Sequence, residues 1–244
     1  MLFFRKKENT SVDLGWLQTD MHSHLLPGID DGSPDMKTSL ELIKGFASLG
    51  YRKIITTPHI LWDVYPNTRE IILDKYEGLK NAVLEAGLDI QIEVAAEYFL
   101  DEHFSGLLKN KTPLLTLSGN MVLVEFSMLS APFDLQEMLF EMQLQNYQPV
   151  IAHPERYNYL NRKREVFDEL RNGGCLFQLN LLSLQGYYGS SVQELAEYLL
   201  KKDYYDFAGS DLHHERHMAG MQKLKSAAWM RKLMESSSIK NHLL

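Results

Sequence analysis

The chain has 244 residues, 45% of them hydrophobic, and a net charge of −7. That length suits one domain with a sizeable core, since a single α/β barrel runs to about 250 residues, and the negative charge speaks against a general nucleic-acid binder, which carries a basic stripe. Cys175 is the single cysteine, so an internal disulfide is excluded and a reducing compartment fits.

The chain starts Met1-Leu2-Phe3-Phe4 and turns charged at Arg5-Lys6-Lys7-Glu8. A secretory signal has the opposite order, basic residues first and a longer apolar run after. No stretch approaches ~18 uninterrupted apolar residues, so no membrane insertion is expected and the expected location is cytoplasmic. Residues 1–16 read as an N-terminal extension and residues 17–244 as one domain.

Beyond the extension, short apolar runs alternate with longer amphipathic segments. Strands are expected near 17–21, 53–57, 90–95, 121–126, 149–152, 176–179 and 206–209. Helices are expected near 36–49, 68–86, 134–146, 163–172, 191–201 and 215–235. Ser33-Pro34-Asp35 is a helix-start signal, and Gly50, Gly87 and Gly173-Gly174 follow helices where a left-handed backbone is favoured. The stretch 103–116 is less regular, with Pro113 marking a turn. Steady alternation of strand and helix argues for parallel β/α units, and seven such units suit a distorted TIM-like (β/α)7 barrel.

The polar residues fall at strand ends. The first run closes on His22-Ser23-His24, the second on Thr57-Pro58-His59, the third on Ala96-Glu97 and the fourth on Glu125. The fifth closes on His153 and the seventh on Asp211-Leu212-His213. Such ends share one mouth of a β/α barrel, where these folds build active sites. Histidine and carboxylate together ligate zinc, manganese or iron. In H-x-H at a strand end both imidazoles point the same way. Asp30-Asp31-Gly32, in a turn after Pro27 and Gly28, returns a carboxylate towards the same cluster. A lone histidine is more often a surface or structural group, and His103, His214, His217 and His242 are read as solvent-facing.

These motifs resemble the PHP (polymerase and histidinol phosphatase) superfamily, and within it the bacterial protein-tyrosine phosphatases of capsule and exopolysaccharide synthesis. The carrying segments are D-M-H-S-H-L-L-P-G-I-D-D-G at 20–32, T-T-P-H at 56–59, A-A-E-Y at 95–98, L-V-E-F-S at 123–127, I-A-H-P-E-R-Y at 151–157 and G-S-D-L-H at 209–213. The resemblance implies a PHP-type barrel binding three divalent metal ions, Mn, Fe or Zn. His22, His24, Glu97 and Asp211 would hold the first ion, and Glu97 would bridge to a second held by Glu125 and His153. Asp31, His59 and His213 would hold the third. Some relatives carry histidine where this chain has Asp31 and Glu125, an exchange that bears on metal preference.

It further implies hydrolysis of phosphotyrosine by a metal-activated hydroxide. The protein substrate would be the cognate bacterial tyrosine kinase of capsule or exopolysaccharide synthesis. Arg156 and Arg216, each three residues after a ligand, suit a phosphoryl group, because a guanidinium forks onto two oxygens. Leu61, Trp62 and Tyr65 follow His59 and could receive an aromatic ring. The alternatives are a phosphatase of histidinol phosphate or another small monoester, and a metal-binding, kinase-docking module without turnover. Cysteine-based phosphatase chemistry is excluded, since no arginine follows Cys175 closely. Oligomeric state is open.

Overall fold

The structure is a computed structural model that describes residues 13–224 and 228–244. Its strands all pair in parallel. One sheet has the order β1 (Thr19–Asp20), β2 (Lys53–Thr56), β4 (Gln91–Val94). The other runs β3 (His59–Ile60), β5 (Glu97–Phe99), β6 (Met121–Glu125), β7 (Gln148–Ala152), β8 (Leu176–Asn180), β9 (Phe207–Gly209).

The second and third expected strands are therefore each broken in two. Pro58 sits in the first break and has no N–H to give a ladder. Its carbonyl accepts from the Glu97 N–H at 3.0 Å, and the Thr56 carbonyl accepts from the Ala95 N–H at 2.9 Å. Register survives the break, with Thr56 opposite Val94 and His59 opposite Glu97. The seven runs thus follow one another in order across both sheets. A parallel bridge between Ser23 and Leu212 then joins the first run to the last, supported by the Asp211 N–H donating to the His22 carbonyl at 2.8 Å. This is the expected (β/α)7 arrangement, assembled from two sheets and a bridge instead of one continuous ladder.

Helices α1 (Met36–Ser48), α2 (Arg69–Glu85), α4 (Leu135–Leu144), α5 (Glu165–Asn172) and α6 (Ser190–Lys201) lie where the sequence pattern expects them, with α3 (Glu102–Lys109) between the second and third of these. Asp35 caps α1 by accepting from the Thr38 N–H at 2.8 Å, and Leu42, Ile43 and Phe46 form its buried face. Gly50 follows at φ 91°, as its position after the helix demands. Three expectations need correction. The stretch read as irregular after residue 102 contains α3, started by Asp101, whose side chain accepts from the Phe104 N–H. The single helix expected over 215–235 is two elements, α7 (Glu215–Met221) and α8 (Ala228–Glu235). Residues 1–12 of the expected extension lie outside the described residues, but Leu14 is fully buried and donates to the Leu49 carbonyl, so the core begins before residue 17.

Strands buried on both faces read as apolar runs, and here each face has its own core. Ile54, Ile92, Val122, Val124, Ile151 and Phe177 pack with the helices in one large cluster. The opposite alternation sends Met21, Ile55, Ala95, Leu123, Val150 and Phe207 into a second, smaller cluster that fills the ring. No described helix is long and apolar enough to cross a membrane.

Candidate metal centre

Six of the seven runs deliver a histidine or carboxylate to the same end of the ring. His22 and His24 follow β1, and His59 and Glu97 open β3 and β5. Glu125 ends β6, His153 follows β7, and Asp211 and His213 lie just past β9. Asp31 arrives from the turn before α1. His153 and Asp211 take left-handed backbone at φ 34° and φ 50°, which costs a non-glycine residue about 1–3 kcal/mol. That strain turns two chains of atoms sharply at the mouth.

All nine expected residues come together. Their donor atoms fall into three sets, within each of which all lie within 4.8 Å of one another: His22, Glu97, His153 and Asp211; His59, Glu97 and Glu125; and His24, Asp31, His59 and His213. Glu97 belongs to two sets, as a bridging carboxylate would. By distance His153 joins the first set and His24 the third, a different partition from the one the resemblance implies. His24 Nε2 is nonetheless 3.4 Å from both Glu97 Oε2 and Asp211 Oδ1, so it borders the first set as well. His59 turns Nδ1 to Glu97 and Glu125 and Nε2 to Asp31. A neutral imidazole has one lone pair, so it serves one of these sets.

The donors suit divalent cations. Glu97 Oε2 is buried without a hydrogen-bond partner, although His22 Nε2 lies 3.1 Å away and His59 Nδ1, equally unpartnered, 3.2 Å away. A buried charged oxygen left this way costs several kcal/mol, on the order of the desolvation penalty, unless a cation meets it. Charge in the cluster tells the same story. Burial pushes the His22 imidazole down, but Glu97 and Asp211 outweigh it and raise it to about 9. Burial lifts the Glu97 and Asp211 carboxyls, yet His22 and its neighbours hold both well below the usual range. The Asp31 carboxyl, lifted by burial, is brought down to about 2 by His213. The cavity is built to keep carboxylates ionised opposite positive charge.

Ring orientation is fixed from behind. His22 Nδ1 meets Gln178 Oε1 at 2.9 Å, and His24 Nδ1 meets Asp30 Oδ2 at 2.9 Å. His213 Nδ1 meets the Asp211 carbonyl, also at 2.9 Å. Such partners hold the tautomer that leaves Nε2 free for a metal. Asp30 is thus the carboxylate behind His24, while its neighbour Asp31 faces the cluster.

The sequence profile of the capsular polysaccharide synthesis CpsB/CapC family matches residues 18–243. The chain belongs to this family. It is 30% identical to the CapC protein of Staphylococcus aureus over 194 residues, covering 80% of this chain and 76% of that one. It is 27% identical to the tyrosine-protein phosphatase YwqE of Bacillus subtilis (strain 168), covering 80% and 77%. It is 28% identical to the tyrosine-protein phosphatase CpsB of Streptococcus pneumoniae, covering 80% and 82%. Among solved structures it superposes, with a TM-score of 0.76 at 23% identity, on one from the work on YwqE and S. pneumoniae CpsB, described as unique metal-dependent tyrosine phosphatases; the match covers 91% of this chain and 95% of that one. A lactonase from Listeria monocytogenes, Lmo2620, shares the fold at a TM-score of 0.53 and 13% identity, covering 92% and 89%.

Beside the cluster of this CpsB/CapC family member lies a cleft lined by Asp31, Arg156, Tyr188, Asp211, His213, His214 and His217. Arg156 pairs with Asp211, Nη1 to Oδ2 at 2.7 Å, and not with the adjacent Glu155, which bonds Tyr205 and the Asn180 N–H instead. Its guanidinium lies over the Tyr188 ring, 4.7 Å from the centroid. Arg216 is exposed in the first turn of α7 and does not line the cleft. Tyr65 stacks on His59 at 5.7 Å, and Trp62, half-exposed, stacks on His103 at 4.0 Å. His217 is not solvent-facing as expected. It is buried, its Nδ1 accepts from the His213 N–H, and burial first, then His214, pushes its imidazole down to about 4. Burial also pushes the Cys175 thiol up to about 12, which removes thiolate chemistry at neutral pH.

Proposed function

We propose that this protein is a metal-dependent protein-tyrosine phosphatase acting in the cytoplasm on the cognate tyrosine kinase of capsule or exopolysaccharide synthesis. One observation carries the reading: nine histidines and carboxylates from six of the seven strand runs and one turn meet in three donor sets beside an arginine-lined cleft. Membership of the CpsB/CapC family, whose named relatives YwqE and CpsB are tyrosine phosphatases, supports the substrate. The phosphatase domain would comprise residues 17–244 together with Leu14, which packs into the same core.

His22, His24, Asp31, His59, Glu97, Glu125, His153, Asp211 and His213 would hold three divalent ions, manganese, iron or zinc. Bound ions of this kind supply Lewis acidity to phosphoryl oxygens and acidify water to a pKa of about 7. Three such ions against four carboxylates leave the cluster with a charge of about +2, which a phosphate monoester dianion neutralises. The protein's own residues do the rest. Arg156 lines the cleft and extends its guanidinium to the phosphoryl oxygens. Tyr65 and Tyr188 offer ring faces to an aromatic substrate. Tyrosine leaves as a phenolate of pKa about 10, so the demand on a general acid is small.

The test is turnover of a phosphotyrosine peptide beside histidinol phosphate, with elemental analysis before and after chelation. Expected are hydrolysis of the peptide, its loss on chelation, and three divalent ions per chain. Hydrolysis of histidinol phosphate alone would overturn the substrate. Bound ions without turnover of any monoester would leave a docking module.

A further inference from the structure

Six of the seven strand runs end in histidine or carboxylate, and β8 is the exception. It presents Gln178 and Asn180, two residues apart and so on one face, both fully buried and both directed at the cluster. We infer that Gln178 is a positioning residue that sets the tautomer of His22 and so delivers its Nε2 lone pair to the metal site. The inference rests on the reading of His22 as a ligand.

The orientation of the Gln178 amide follows from its neighbours. Oε1 lies 3.2 Å from the His153 backbone N–H, which is always a donor, so an oxygen must stand there. Nε2 lies 2.6 Å from the Leu179 carbonyl, which is always an acceptor, so a nitrogen must stand there. With both ends fixed, Oε1 is an acceptor facing His22 Nδ1 at 2.9 Å, and that ring nitrogen carries the hydrogen. Nε2 is then the nitrogen left for an ion, which would displace the proton shared with Glu97 Oε2 and Asp211 Oδ1 at 3.1 and 3.3 Å. One amide oxygen therefore ties together the backbone of His153 and the ring of His22, two residues of the same donor set. The space for this amide is reserved: a Cβ on Gly209 would sit 2.8 Å from Gln178 Nε2 and 2.8 Å from the His22 Cβ. Groups that donate or accept behind a metal-bound imidazole change metal affinity by about 10–100-fold when removed.

The experiment compares metal retention of wild type, Gln178→Met and Gln178→Glu during dialysis against graded chelator, with circular dichroism to check the fold. Methionine fills the same space without an acceptor, and glutamate keeps an oxygen at Oε1 and, as the buried neutral acid, offers an O–H to the Leu179 carbonyl. Expected is a loss of about 10–100-fold in metal affinity for Gln178→Met and near-wild-type retention for Gln178→Glu. Wild-type retention in Gln178→Met overturns the inference, as does an equal loss in both variants, which would mean packing alone matters. A wild type that holds no metal at all overturns the underlying reading instead. Should the variants not fold, ring nitrogen-15 spectra of zinc-loaded wild type decide: a proton on His22 Nδ1 supports the inference, and one on Nε2 overturns it.

Discussion

Arg156 donates to Asp211 Oδ2 at 2.7 Å, and the same oxygen accepts from Asn180 Nδ2 at 3.1 Å. Asp211 therefore keeps a partner if the guanidinium is lost, and the main loss falls on the substrate side. A lysine at 156 retains charge but not the planar fork or the face laid over Tyr188. Arg156→Lys is expected to forfeit one charged hydrogen bond, about 1.5–3 kcal/mol, which lowers kcat/KM on phosphotyrosine peptide by about 10–100-fold. Inhibition by inorganic phosphate should weaken in parallel while metal content stays at the wild-type level. A variant that lost metal along with activity would assign Arg156 to holding Asp211 instead. The nine residues of the cluster were legible at this scale because histidine and carboxylate at strand ends have few other reasons to recur. Gln178, Asn180 and His217 were not, because amides and a helical histidine are ordinary until a buried partner is seen opposite them.

At the scale of elements the run-and-helix rhythm was readable from apolar periodicity and from punctuation such as Asp35 and Gly50. The breaks at Thr57-Pro58 and Ala95-Ala96 were less so, since an apolar run states that a strand is buried and not where its ladder skips. Helix α3 was missed because Pro113 and the polar residues around it suggested a loop, whereas Asp101 starts a short helix anchored by Phe104 and Leu108. The cap is testable. Asp101 accepts from the Phe104 N–H at 2.8 Å, so Asp101→Ala leaves that donor without its partner. Loss of such a cap costs about 0.5–2 kcal/mol, to be read as a lower midpoint in urea. The peptide-hydrolysis rate per folded molecule should not change, because none of the donor sets draws on α3.

For the whole molecule, the distinctive feature is that the first and last runs join by backbone contacts right beside the charged cluster. The first and last runs meet through Ser23 and Leu212, each beside proposed ligands. His22, Glu97, His153 and Asp211 are all buried where those runs converge. An ion that binds them in the folded chain and not in the unfolded one adds stability by mass action, about 2.7 kcal/mol at a free concentration a hundred times its Kd. For a chain of this size that corresponds to about 5–10 °C in Tm. Chelation should therefore lower Tm by about that amount, and re-addition of manganese or zinc should restore Tm and phosphatase activity over the same concentration range. The alternative is a barrel held together by its two hydrocarbon cores alone, with the cluster a passenger on a finished fold. In that case, stripping the ions to a level confirmed by elemental analysis would abolish hydrolysis and leave the melting curve where it was.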